Sequence, residues 1–128
     1  MSLRLTIHFI AWSFSVFCVL PSFAFASQCQ MQLEEALRIV RQTPWGKDIE
    51  DPQRVVSGAF FTSVPRERIS GWNDPERADY VSKMIEVLKG KQVWVIDATL
   101  IPATGVRGWN LQFFVDACER RLLDASPK

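Results

Sequence analysis

Along the chain, stretches whose apolar positions recur with a clear period alternate with stretches that have none. Leu33, Ala36, Leu37 and Val40 stand at i, i+3, i+4 and i+7, one face of a helix. Ser27 and Gln30 precede them at capping-box spacing, so the pattern predicts a helix over 30–42. Thr43-Pro44-Trp45-Gly46 ends it, because the residue before a proline disfavours helical backbone. Residues 47–53 are charged, contain Pro52 and read as a surface loop. Residues 55–64 are rich in β-branched and aromatic side chains with Gly58 inside, which predicts a strand stopped by Pro65.

A polar connection over 66–72 leads to the clearest helix start in the chain. Asp74 stands at the N-cap, Pro75 at the first helical position and Glu76 in the first turn. Val81, Met84, Ile85 and Leu88 supply the buried stripe and Gly90 the C-terminal cap. Residues 92–101 are apolar almost without interruption, the pattern of a strand covered on both faces. A turn-rich loop follows over 102–108. Residues 109–117 fit two periods, since Trp109, Leu111, Phe113, Val115 and Ala117 alternate as in a strand while Leu111, Phe114, Val115, Cys118 and Leu122 are spaced as on a helix. The strand is favoured, paired antiparallel with 92–101, with a helical turn from Glu119; a helical last element is the alternative.

The resulting order, α-β-α-β-β, describes a small α+β domain with two helices on one side of a short antiparallel sheet. A partial barrel of the oligonucleotide-binding kind needs five strands, and the pattern supplies three.

The first residues change the picture most. Arg4 is followed by a predominantly apolar run from Phe9 to Leu20, then Pro21 and Ala24-Phe25-Ala26. This is the layout of a cleavable export signal spanning residues 1–26. The apolar run is too short to span a bilayer, which takes about 20 residues. Neither Cys18 nor Cys29 follows the small residue that a lipoprotein signal requires. Cleavage after Ala26 removes 26 of 128 residues and leaves 102, enough for a single domain over 27–124 with a frayed tail over 125–128. The expected location is a periplasm or the exterior, and no Asn-x-Ser/Thr site for glycosylation is present. No stable membrane insertion is expected once the signal is gone.

Loss of the signal also removes Arg4 and the only histidine, His8, leaving 14 basic against 14 acidic side chains. A neutral domain lacks the long-range field that draws proteins to nucleic acid. Without histidine, Ser-His-Asp and Cys-His sites and histidine zinc sites cannot be built. Phosphate-binding and dinucleotide-binding glycine loops are absent, so no cofactor and no metal is expected. The two remaining cysteines, Cys29 and Cys118, are expected to pair in an oxidising compartment.

Carboxylates remain for acid-base work, and Asp97 with Asp116 or Glu119 is the candidate catalytic set if the two strands form a hairpin. The cluster Asp48, Glu50 and Asp51 lacks calcium-loop spacing, and Gly105, Arg107 and Gly108 read as an ordinary hairpin loop with an exposed arginine. Tryptophan and arginine are enriched at binding hot spots. Trp45 and Trp72, with Arg66, Arg68 and Arg107, lie in predicted loops and form the candidate binding surface. The favoured function is therefore a non-enzymatic interaction protein, such as an inhibitor, an immunity-like protein or an accessory subunit. It would bind an envelope or secreted protein, or a small ligand. A carboxylate-dependent hydrolase acting on cell-envelope glycan is the alternative.

Overall fold

The structure is a computed structural model that describes residues 28–101 and 110–128. The predicted signal, Ser27 of the predicted capping box, the loop over 102–108 with Arg107, and Trp109 lie outside the described residues. The elements are α1 (Leu33–Arg41), α2 (Gly46–Glu50), β1 (Arg54–Phe61), α3 (Ala78–Leu88), β2 (Val93–Leu100), β3 (Leu111–Asp116) and β4 (Arg121–Pro127). Single 3-10 turns at Arg66–Arg68 and Pro75–Arg77 lie between β1 and α3. The strands form one antiparallel meander in the order β1-β2-β3-β4. The protein is thus a small α+β domain with one disulfide.

The predicted hairpin of the second and third strands is present, with Asp97 opposite Gln112 and Val93 opposite Asp116. The helical alternative for this region does not form. Four strands replace the expected three, because the chain turns at residues 117–120 and returns as β4. This strand takes up most of the supposedly frayed tail, and Ser126 within it is buried. The helical turn expected from Glu119 is instead a tight strand-to-strand turn in which Arg120 takes a left-handed φ of 56°.

Helices cover both faces of the sheet, not one as expected. Successive side chains of a strand point to opposite faces, so each strand feeds two cores. On one face, Ala36, Leu37 and Val40 of α1 and Ile49 of α2 pack with Ile96, Ala98, Leu111, Phe113 and Val115. On the other, Val81, Met84 and Leu88 of α3 pack with Val93, Val95 and Phe114. β2 and β3 are therefore covered on both sides, which explains their nearly continuous apolar sequence. Gly58 in β1 has a packing purpose: a Cβ there would come within 2.5 Å of Leu33 Cδ1. Its bare backbone lets α1 lie close against the sheet.

Local signals explain where the elements begin and end. The first helix starts three residues later than predicted, and its N-cap Gln32 makes no side-chain cap. Gln32 itself has extended backbone, and Cys29 before it is joined to Cys118. Asp74 does cap, accepting a hydrogen bond from the Glu76 N–H, but the first turn it opens is 3-10 before α3 proper begins. Gly90 at φ 70° ends α3 as predicted, adopting a backbone conformation that other residues resist. The expected loop over 47–53 contains α2, which turns Ile49 into the core. Asp48 and Asp51 of that acidic cluster flank the Arg54 guanidinium, each at 3.9 Å, and Glu50 lies 3.9 Å from Arg41.

The disulfide joins Cys29 to Cys118, 89 residues apart in sequence. It ties the segment before α1 to the β3–β4 turn. Closing a loop of that length stabilises a fold by roughly 4 kcal/mol in the chain-entropy account.

Candidate functional site

α3 packs over the part of its face of the sheet that carries Val93, Val95 and Phe114. Further along the same face the strands carry polar side chains, Asp97 on β2, Gln112 on β3 and Ser126 on β4, which the sheet register places in neighbouring positions. The loop over 66–73 lies across them. Gln112, only 2% exposed, organises this contact. Its Nε2 donates to the Arg68 carbonyl at 2.9 Å and to Asp97 Oδ1 at 3.1 Å, and its Oε1 accepts from the Ser70 N–H at 2.9 Å. A buried amide with both donors and its oxygen engaged fixes a loop more firmly than apolar contact alone, because each broken bond leaves a polar group unpaired.

Asp97 is 9% exposed, and its charge is compensated from two sides. Lys128 Nζ lies 3.2 Å from Oδ1 and Arg68 Nη2 3.7 Å from Oδ2. The Arg68 guanidinium also stacks over the Phe61 ring at 5.3 Å. Beside it Trp72, 41% exposed, projects from the same loop. The hollow that Arg68, Trp72, Asp97, Gln112 and Lys128 help to line has a volume of about 300 Å³. A second hollow of about 620 Å³ shares Ser70, Gly71 and Lys128 with it and extends to Arg77 and Tyr80.

Arg77 and Tyr80 form the far wall. Arg77 donates to the Pro127 carbonyl at 3.0 Å and to Ser126 Oγ at 2.9 Å, while its guanidinium lies 4.6 Å from the Tyr80 ring centre. The Tyr80 hydroxyl donates to Asp124 Oδ2 at 2.9 Å. Burial, joined by the adjacent Asp124 carboxylate and opposed by Ser126 and Arg77, pushes that hydroxyl up to about 12. These bonds lock α3 to β4.

The candidate catalytic carboxylates are not brought together. Asp116 pairs with Val93, four positions along β2 from Asp97. That separation is about 13 Å at ~3.3 Å per residue, beyond the roughly 5–9.5 Å of glycosidase pairs. The fully buried side chains of Val95 and Phe114 lie in between. Asp116 instead serves the β3–β4 turn, where Oδ1 accepts from the Cys118 and Glu119 N–H groups at 2.9 Å each and Oδ2 meets Lys91 at 3.5 Å. Burial disfavours its charge, but those two backbone donors and the Lys91 ammonium outweigh that and hold the carboxyl below its ordinary range. Glu119 is exposed and paired with Arg121.

The candidate binding surface divides. Trp45 is half-buried in the α1/α2 core, edge-on to Phe113 at 6.3 Å, on the opposite side of the sheet from Trp72. It is a core residue because Thr43 turns the chain there, accepting the Trp45 N–H on its hydroxyl. Arg66, Arg68 and Trp72 stay together on the loop over 66–73, and Arg107 lies outside the described residues. The sequence reading did not single out Gln112, Ser70, Arg77, Tyr80 or Lys128. Only Gln112 offered a signal, as the sole polar residue between Leu111 and Val115.

Comparison with family models, with curated proteins and with solved structures finds no match to this chain.

Proposed function

We propose that the protein is exported and acts without catalysis, binding an envelope or secreted protein through the loop over 66–73. The observation that carries this reading is Trp72, a large aromatic side chain 41% exposed on a loop that the buried Gln112 holds in place. Arg68 lines the same hollow as Trp72, and Arg66 lies on the same 3-10 turn as Arg68. An aromatic anchor next to arginines on a fixed loop matches the composition of binding hot spots, and a loop already held in place loses little entropy on docking. Two further features support the reading. The candidate carboxylates lie too far apart to act on one bond, and the Cys29–Cys118 bond suits an oxidising compartment.

Capture from envelope extracts with the wild-type protein and with Trp72→Ala and Arg68→Ala variants tests it. The reading expects a partner retained by the wild type and lost, or weakened at least tenfold, in both variants. Equal retention by all three would remove this surface from consideration.

A further inference from the structure

We propose that the hollow beside the Phe60–Trp94 pair, on the α1 side of the sheet, binds a neutral saccharide. Phe60 and Trp94 are cross-strand partners on β1 and β2, half-buried, with ring centres 5.6 Å apart and planes inclined at 58°. Residues 28–32 border them, with Met31 buried and Gln28, Gln30 and Gln32 exposed. Together with Cys29 and Met31, these side chains line a hollow of about 470 Å³, within the range of small-molecule sites.

The chemistry of the lining selects the ligand. None of the described residues that line it carries a charged side chain, so an ionic ligand would give up hydration and find no side-chain counter-charge there. Each glutamine amide both donates and accepts hydrogen bonds, as a sugar hydroxyl does. Among the described residues none of the three amides has an intramolecular partner, which leaves them available. The electron-rich faces of the two rings suit the C–H face of a pyranose, since an aromatic ring carries negative charge on its face and positive charge at its edge.

The strip is also held in place before any ligand arrives. Cys29 is fixed by the disulfide, its N–H donates to Gln92 Oε1 at 2.6 Å, and the Trp94 Nε1–H donates to the Met31 carbonyl at 3.0 Å. A strip anchored at these points loses little freedom on binding. The site lies across the sheet from Trp72 and does not depend on the loop over 66–73.

Isothermal titration of the purified protein with maltotetraose and with tetra-N-acetylchitotetraose tests the assignment, with tetragalacturonate as an anionic probe. Saturable binding of at least one neutral sugar is expected. It should weaken about twentyfold in the Gln30→Ala/Gln32→Ala double variant, the loss of two hydrogen bonds at their usual net strength. Both glutamines are exposed, so the double variant keeps its fold, which circular dichroism checks. Trp72→Ala should bind the sugar as the wild type does. Four results would overturn the assignment: no saturable heat with either neutral sugar, unchanged affinity in the double variant, preference for tetragalacturonate, or loss of sugar binding in Trp72→Ala.

Discussion

Asp97 and Asp116 are both carboxylates at buried positions of one hairpin, yet their surroundings give them different work. Asp97 anchors a loop through Gln112, Arg68 and Lys128, whereas Asp116 terminates a strand by collecting the N–H groups of Cys118 and Glu119. Asp116→Asn keeps the turn acceptor but loses the charge that faces Lys91 and strengthens both backbone bonds. It should cost about 1–2 kcal/mol in urea unfolding at neutral pH. The sign of the pH effect follows from the lowered carboxyl. Its contribution is complete above the unfolded value near ~4 and is lost as pH falls through the lower folded value. The wild type should therefore lose stability below about pH 4 more steeply than the variant. Parallel acid limbs in the two proteins would contradict this.

Tyr80 provides the alkaline counterpart. It is the only tyrosine in the sequence, so phenolate absorbance reports on it alone. The native protein should titrate near 12, against about 10 when unfolded. Because the folded value is the higher, the stability linked to Tyr80 is complete below pH ~10 and is lost as pH rises through the folded value. A native midpoint at the ordinary value would mean that the hydroxyl is not enclosed between α3 and β4.

At the scale of elements, legibility followed the number of independent signals a segment carries. α3 announced itself through a cap, a proline, an apolar stripe and a terminal glycine, and β2 through apolar residues on both faces. α2 was not legible, because five residues with one buried apolar side chain show no period. β4 was hidden because it is an edge strand, and Arg121, Asp124 and Pro127 give it the composition of a tail. Such residues protect edges from pairing with other chains and so erase the strand signal. The placement of helices on both faces escaped the sequence, since periodicity tells which residues are buried but not against what.

The loop over 66–73 belongs to the same scale. The sequence marked Arg66, Arg68 and Trp72 as loop residues, but what fixes them is a glutamine over 40 residues away in the chain. Gln112→Ala leaves the Ser70 N–H without its acceptor and the Arg68 carbonyl without its donor. A loss of about 2–3 kcal/mol is expected. Amide hydrogen exchange at Ser70 should speed up selectively, while α3 amides change only as much as global stability does. Unchanged protection at Ser70 would show that other contacts hold the loop.

At the scale of the whole molecule, the Cys29–Cys118 bond connects the two ends of the account. It fixes the glutamine strip beside Phe60 and Trp94, and it closes nearly all of the described chain into one loop. Cys29→Ser with Cys118→Ser should lower unfolding stability by roughly 4 kcal/mol, provided the reduced chain gains no compensating structure. A loss much below that would mean that the segment before α1 is held mainly by Gln92 and Trp94. The bond ties the fold to the proposed export, because thiols persist in a reducing cytoplasm and couple outside it. Intact-mass analysis of the protein recovered from its producing cells tests this most directly. The account predicts a chain beginning at Ser27, two hydrogen atoms lighter than its reduced form and inert to alkylation without reductant. A chain that retains Met1, or one in which Cys29 and Cys118 are both alkylated without reductant, would contradict it.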